Sequence, residues 1–159
     1  MLTRRASIQS LTLLGASTLL GHAERTFAMT SKPSDWFMPD ESEPHQRTWM
    51  AFGASRKIWG NELFPEVQRN LASIALSIAR YEPVSMLVRQ SDLSRAKQLM
   101  GDKVELIVCP HDDLWVRDTG AVFVVTKAGE KAGIDFNFNG WGEKQDFNLD
   151  AKVAVFMAQ

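Results

Sequence analysis

Short apolar segments alternate with helical ones through the middle of the chain, and this alternation is the strongest constraint on the fold. The segments "TWMAF", "PVSMLV" and "KVELIVC" have the composition of short buried strands. Helical patterns separate them, one from Pro65 onward and one in "LSRAKQLM". A later stretch, "AVFVVTKAGEKAGIDFNFN", has the pattern of two strands joined by a glycine-containing hairpin. The predicted order β-α-β-α-β-β-β indicates an α/β fold.

The longer predicted helix has an apolar and a polar face. Pro65 suits its first turn, where the backbone nitrogen needs no helical partner. The apolar residues recur at helical spacing and are expected to face the core: Val67, Leu71, Ile74, Ala75 and Ile78. The polar residues are expected on the solvent side: Gln68, Arg69, Ser73 and Arg80.

Turn and cap residues mark the ends of the smaller elements. Ser91-Asp92 is expected to cap the shorter helix, and Gly101 lies just past its end. In the last strand of the hairpin, Ile134, Phe136 and Phe138 alternate with polar residues. This alternation predicts a strand with one solvated face.

Residues 1–28 have the order of an export signal: the pair Arg4-Arg5, an apolar stretch from Ser10 to Leu20, and then small residues that suit cleavage. The Arg pair is similar to a twin-arginine signal and predicts an exported, periplasmic protein with a mature domain over residues 29–159. The apolar stretch is too short for a membrane span. The mature form, without this segment, is expected to have no membrane contact. If this segment is instead a helix of the mature domain, the protein is cytoplasmic.

Composition excludes several classes of site. The net charge of −1 gives no electrostatic reason to bind nucleic acid or an anionic membrane. The single cysteine, Cys109, excludes an intramolecular disulfide framework and a cysteine-based zinc cage. The sequence also lacks the glycine-rich fingerprints of nucleotide-binding loops.

The stretch "HDDLWVRDTG", residues 111–120, places three aspartates and a tryptophan directly after an apolar strand. On a structural interpretation, Asp112 and Asp113 end the strand as turn residues, and Arg117 forms a salt bridge with Asp118. On a functional interpretation, carboxylates beside a flat aromatic side chain suit a planar cation. A guanidinium fits best, because the carboxylate accepts paired N–H groups while the ring packs on its face.

The same stretch and the cysteine before it contain the residue types of two other sites. His111, Asp112 and Asp113 are potential metal ligands, but adjacent residues rarely point at one ion, so no metal site is predicted. Cys109, two residues before His111, is a potential nucleophile. A free cysteine at the end of an apolar strand is more often a small buried hydrophobe, which is the role we expect for it.

Three motifs carry a resemblance to a known family. "MPDESEPHQRTWMAF", "DLWVRDTG" and "GIDFNFNGWG" occur in the order and spacing of the agmatine deiminase and bacterial peptidylarginine deiminase family, roughly over residues 36–150. The chain departs from the family pattern at Gly53 and Ala121, where proline is usual. The resemblance implies part of a five-bladed α/β propeller, the pentein-like fold of guanidine-modifying enzymes.

The resemblance also implies a chemistry. In this family a cysteine thiolate attacks the guanidinium carbon, a histidine transfers protons and aspartates hold the guanidinium nitrogens, without metal or organic cofactor. On this match Asp118 is a guanidinium-binding aspartate and Trp115 is a pocket aromatic. Asp113 is predicted to bind the substrate or to shape the loop, and Arg117 to position the turn. His45 matches a position near the rim of the site, or is a loop histidine bonded to backbone.

The family's catalytic cysteine, histidine and second aspartate lie beyond the motifs present, so the chain is expected to be a truncated N-terminal part without activity of its own. The resemblance is compatible with three functions. The first is conversion of agmatine to N-carbamoylputrescine, a step of putrescine and polyamine metabolism. The second is deimination of peptidyl-arginine by an exported enzyme, and the third is guanidinium binding without catalysis. The expected partner is a small guanidinium substrate such as agmatine, or peptidyl-arginine, and a homo-oligomer is a further alternative.

Overall fold

The main sheet consists of three parallel strands, β1 (Thr48–Ala51), β2 (Val84–Val88) and β3 (Glu105–Val108), in the order β1-β2-β3. Two helices, α1 (Arg56–Ile78) and α2 (Leu93–Met100), return the chain between them, as parallel pairing requires. The computed structural model describes residues 35–159. The predicted export signal, residues 1–28, lies outside this range.

Strand β2 is buried on both faces of the sheet. Because side chains alternate along a strand, Met86 and Val88 face one core and Leu87 faces the other. The first core lies under α1 and α2 and includes Phe52, Ala72, Ala75, Val84, Ala96, Met100 and Val104. The second core includes Ala51, Cys109 and Val153. The short helices α3 (Val116–Thr119) and α5 (Val153–Met157) contribute to it.

The remaining elements are small. Strands β4 (Val122–Val125) and β5 (Lys131–Ile134) form the antiparallel hairpin that the sequence predicts. A four-residue helical turn, α4 (Gly140–Glu143), follows the hairpin, and short 3-10 turns cover Gln90–Asp92 and Asp150–Lys152. Within residues 35–159, no helix combines the length and the apolar character needed to cross a bilayer.

The predicted order of strands and main helices is confirmed, but two details of α1 were wrong. The helix begins at Arg56 with a kink at Gly60, so Pro65 lies inside it. Its buried side is rotated toward Phe64, Gln68, Ala72 and Ala75, which leaves Ile74 51% exposed. Gln68 tolerates burial because its amide donates a hydrogen bond of 3.2 Å to the Asp92 carboxylate.

Other boundaries also differ from expectation. Helix α2 spans the predicted residues, and Gly101 follows it with φ of 59°. The predicted N-terminal cap is not formed by the Asp92 side chain. Its carboxylate instead accepts a hydrogen bond from Arg89 Nε at 2.8 Å. Strand β5 ends at Ile134, and Phe136 is 71% exposed, so the predicted alternation does not continue as a strand. Strand β3 is an edge strand and is not buried as expected, since Val108 is 42% exposed.

The turn α4 is left-handed. Gly140, Trp141, Gly142 and Glu143 all have positive φ, between 54° and 80°. The conformation is costly for L-residues, so two glycines of the four reduce the strain. The Asn139 side chain stabilises the turn by accepting a hydrogen bond of 3.0 Å from the Gly142 N–H. The turn therefore fixes Trp141 in a backbone conformation that it would not adopt alone.

We predict that Gly140→Ala destabilises the full-length protein more than Gly142→Ala does. Both changes place alanine at positive φ, which costs about 1–2 kcal/mol. At position 140 the added Cβ would also lie 2.7 Å from the Gln145 carbonyl oxygen, whereas no atom lies within 4 Å of the Cβ at position 142. The clash should add about 1–3 kcal/mol. Denaturant unfolding of both variants measures their free energies of unfolding. Equal losses of this free energy would contradict the close packing of Gly140.

Candidate active site

The loops that follow the three parallel strands meet at one edge of the sheet, as the carboxyl ends of parallel strands must. Arg89, directly after β2, joins the other two loops. Its Nη2 donates to the Ala54 carbonyl oxygen at 2.8 Å and its Nη1 to the Asp112 carbonyl oxygen at 3.4 Å. The aspartate-rich stretch is thus held against the loop after β1.

His111 is a buried structural histidine, 1% exposed. Its Nδ1 lies 2.9 Å from the Cys109 carbonyl oxygen, and its Nε2 accepts from the Gly53 N–H at 3.2 Å. A carbonyl can only accept, so the neutral ring carries its proton on Nδ1. Burial lowers the pKa of His111, in agreement with a neutral ring. A Cβ at Gly53 would lie 2.5 Å from Nε2, which explains why glycine occupies this position.

Asp113 is buried, at 2% exposure, with both carboxylate oxygens occupied. Oδ1 accepts from the Ser55 N–H at 2.9 Å and from Trp59 Nε1 at 3.2 Å. Oδ2 accepts from Trp115 Nε1 at 3.0 Å. This geometry favours the loop-shaping role over direct substrate binding, which was the other role predicted for Asp113.

Asp150 holds the same loop from the opposite side. Its buried carboxylate accepts from the Asp112 N–H at 2.8 Å and from the Asp113 N–H at 3.3 Å. In return, Asp112 Oδ2 accepts from the Leu149 N–H at 2.8 Å. The pKa of Asp150 is raised to about 6, and burial is the largest cause. The two N–H groups act to lower this pKa, and the nearby Asp112 and Asp113 carboxylates act to raise it.

Asp118, the predicted guanidinium-binding residue, is exposed on α3. Its Oδ1 accepts from Trp141 Nε1 at 3.3 Å. Arg117 does not pair with it: the guanidinium of Arg117 contacts Glu41 Oε1 at 2.5 Å. The salt bridge between Arg117 and Asp118 that the structural interpretation predicts is therefore not formed. The carboxylate oxygens of Asp118 lie at the surface, where a ligand can reach them.

Aromatic rings line the surface beside Asp118. Trp115 and Trp141, 38% and 41% exposed, meet edge to face with ring centroids 5.9 Å apart. Trp59 stacks on Trp115 with centroids 6.5 Å apart, and Phe138 meets Trp141 edge to face at 4.9 Å. A carboxylate next to exposed indole faces has the chemical character that binds a planar organic cation.

The remaining predicted residues lie elsewhere. Cys109 is 3% exposed, and burial together with the nearby Asp150 carboxylate raises the pKa of its thiol, so it behaves as a small core residue. His45 bonds its loop, with Nδ1 3.3 Å from the Glu43 carbonyl oxygen and Nε2 2.7 Å from Glu82. Within residues 35–159, no three His, Cys, Asp or Glu side chains form a group that could hold a metal ion.

Sequence reasoning missed two contributors to the site: Trp59 and Asp150. Trp141 lies between two glycines, a pattern that suits an exposed position in a cleft, but its contact with Asp118 is visible only in the folded chain. Trp59 reaches Asp113 across 54 positions of the chain, and Asp150 reaches Asp112 across 38. No local pattern marks either contact.

The raised pKa of Asp150 predicts a pH-dependent stability. Below pH 4 the carboxyl is protonated in both folded and unfolded chains, but between pH 4 and pH 6 only the folded state keeps the proton. Stability should therefore fall as the pH rises through this window, by up to about 3 kcal/mol for a shift from 3.8 to about 6.

Asp150→Asn, which cannot ionise, should flatten this dependence in the full-length protein. Thermal unfolding of both proteins between pH 4 and pH 7 measures the effect. Parallel curves for the wild type and the variant would contradict the assignment to Asp150.

Comparisons with known proteins identify the family. The profile of the Porphyromonas-type peptidyl-arginine deiminase family matches residues 37–159. An agmatine deiminase of Pseudomonas aeruginosa is 39% identical over 116 residues, which are 71% of this chain and 31% of that protein. The chain spans about a third of the length of the curated relatives it matches.

Solved structures agree with the fold. The agmatine deiminase of Enterococcus faecalis aligns with a TM-score of 0.72 and 27% identity, over 77% of this chain and 35% of that one. A cysteine-to-serine variant of the C. jejuni agmatine deiminase, solved with substrate bound, aligns with a TM-score of 0.65 and 25% identity, over 76% of this chain and 35% of that one. The predicted fold, part of the α/β propeller of guanidine-modifying enzymes, is confirmed. The chain belongs to the Porphyromonas-type peptidyl-arginine deiminase family.

Proposed function

We propose that the full-length protein hydrolyses the guanidinium group of agmatine to a ureido group. One water is consumed and one ammonia is released for each guanidinium converted. The similarity to proteins named agmatine deiminases supports the reaction and the substrate. The observation that carries the proposal is the exposed Asp118 carboxylate beside the indole rings of Trp115 and Trp141.

Asp118 fits the role of an anchor for the guanidinium. A carboxylate and a guanidinium form two parallel N–H···O bonds, which fix both the position and the plane of the cation. The Trp141 N–H approaches only Oδ1 of Asp118, at 3.3 Å, so acceptor capacity remains on both oxygens. The indoles exclude water from one side of the ion pair, which strengthens the attraction.

The nucleophile implied by the family resemblance is a cysteine thiolate that attacks the guanidinium carbon. Cys109 is a poor choice, because its thiol is buried and the raised pKa opposes ionisation. We therefore propose that the thiolate comes from a part of the full-length protein outside residues 35–159. The part described here supplies the anchor and the aromatic wall.

Peptidyl-arginine is the alternative substrate. Two observations favour it: the description of the matching family, and the N-terminal Arg pair followed by apolar residues, which we propose is an export signal. An exported deiminase would meet proteins rather than the polyamine pool. A protein that binds guanidinium groups without turnover is the third possibility.

A substrate panel separates these functions. We expect the full-length protein to release ammonia from agmatine faster than from free arginine or from a peptide with C-terminal arginine. Ammonia release under identical conditions is the measurement. Preference for the peptide would reject agmatine as the substrate, and failure to act on any of the three would reject catalysis in favour of binding alone.

Asp118→Asn should abolish turnover in the full-length protein, because the amide keeps the shape of the side chain but loses the charge that holds the guanidinium. Activity should fall at least tenfold, which corresponds to ~1.4 kcal/mol in the barrier. The matched control is Asp102→Asn, an exposed aspartate in the turn after α2, and it should keep full activity. Retention of more than about a tenth of the wild-type activity in Asp118→Asn would reject the role.

A further inference from the structure

The Asp113 carboxylate binds two indole N–H groups at once, which is more than a loop needs for its own stability. Its Oδ2 accepts from Trp115 at 3.0 Å and its Oδ1 from Trp59 at 3.2 Å. Trp115 lies in the aspartate-rich stretch and Trp59 in the first turn of α1, so one side chain joins two elements. An indole has one hydrogen-bond donor, its N–H group. The donors of both Trp59 and Trp115 are bound by the Asp113 carboxylate.

We propose that Asp113 is a positioning residue for the guanidinium site, which fixes the orientation of the Trp115 ring and supports it from behind with Trp59. This inference rests on the function proposed above. Asp113 does not touch the substrate, because its carboxylate is 2% exposed and occupied by three N–H donors. It acts through the ring that the substrate contacts.

The position of Asp113 is itself fixed at two points. Its N–H donates to the buried Asp150 carboxylate at 3.3 Å, and its Oδ1 accepts from the Ser55 N–H at 2.9 Å. The carboxylate therefore cannot follow the Trp115 ring if the ring rotates, and rotation would break the hydrogen bond. Because Trp115 is 38% exposed, packing alone leaves one side of the ring unrestrained.

A fixed ring lowers the cost of binding. When Trp115 is already oriented, the substrate does not have to immobilise it on arrival. The Asp113 carboxylate also accepts the N–H at the edge of the Trp115 ring, and this hydrogen bond polarises the indole on which the cation packs. Both effects act on the bound substrate and on the transition state alike, so they should appear mainly in KM rather than in kcat.

The kinetic test uses Asp113→Asn in the full-length protein with agmatine as substrate. An asparagine keeps one acceptor but turns an NH2 group toward one of the two indoles. KM should rise about tenfold while kcat stays within about threefold. The matched control is Glu105→Gln, a carboxylate that accepts from Ser85 and Arg47 at the opposite, amino end of the sheet, and its KM should not change. An unchanged KM in Asp113→Asn, or a loss confined to kcat, would overturn the inference.

A double variant shows whether the effect passes through Trp115. Trp115→Phe keeps an aromatic ring but removes the N–H that Asp113 accepts. If Asp113 acts through this contact, adding Asp113→Asn to Trp115→Phe should change KM by less than about threefold. If the KM of the double variant instead rises by the product of the two single-variant increases, Asp113 acts independently of the ring, which contradicts the proposal.

A spectroscopic readout separates this inference from the proposed function. The indole N–H resonances of Trp59 and Trp115, assigned through Trp59→Phe and Trp115→Phe, should both move in Asp113→Asn and stay in place in Glu105→Gln. Unmoved resonances would overturn the positioning role whether or not the protein turns over substrate. An inactive wild type with shifted resonances would reject the proposed function and, with it, the guanidinium role of the ring, while the contact itself would stand.

Discussion

The parallel pairing of β1, β2 and β3 is the constraint on which the rest of the site depends, because it brings three strand ends to one edge of the sheet. The loops at that edge are then joined by polar contacts rather than by apolar packing. Arg89 holds two of them, and His111 and Asp113 accept N–H groups from the loop after β1. Exposed Asp118 follows only a few residues later on α3, so its place is set by these buried contacts.

Three aspartates near this edge differ in role because they differ in burial and in partners. Asp150 is fully buried and holds the loop through backbone N–H groups at the expense of a raised pKa. Asp113 is buried against three N–H donors and orders two tryptophans. Asp118 is exposed, with one indole N–H on one oxygen, and so is available to a cation. Only the last has the exposure that a substrate-binding group needs.

The sequence predicted the strands and the short helix because their apolar pattern and terminal glycine are local signals. It placed Leu71, Ala75 and Ile78 of α1 correctly against the core. It missed the burial of Gln68, which depends on a bond to Asp92 that no helical pattern reveals. It selected Asp118 and Trp115 from their motif. For Asp113 it offered a substrate role and a loop-shaping role, and the burial of the carboxylate favours the second. The partners Trp59 and Asp150 join the loop from distant positions, and only the folded chain brings them together.

A structure of the full-length protein with agmatine, in a variant that lacks the nucleophilic thiol, tests the central claim most directly. The account predicts both Asp118 oxygens within about 3 Å of two guanidinium nitrogens. The Trp115 ring should pack on the guanidinium plane, and Asp113 should still accept from both indoles. A guanidinium bound by Asp113, with Asp118 turned away into solvent, would contradict it.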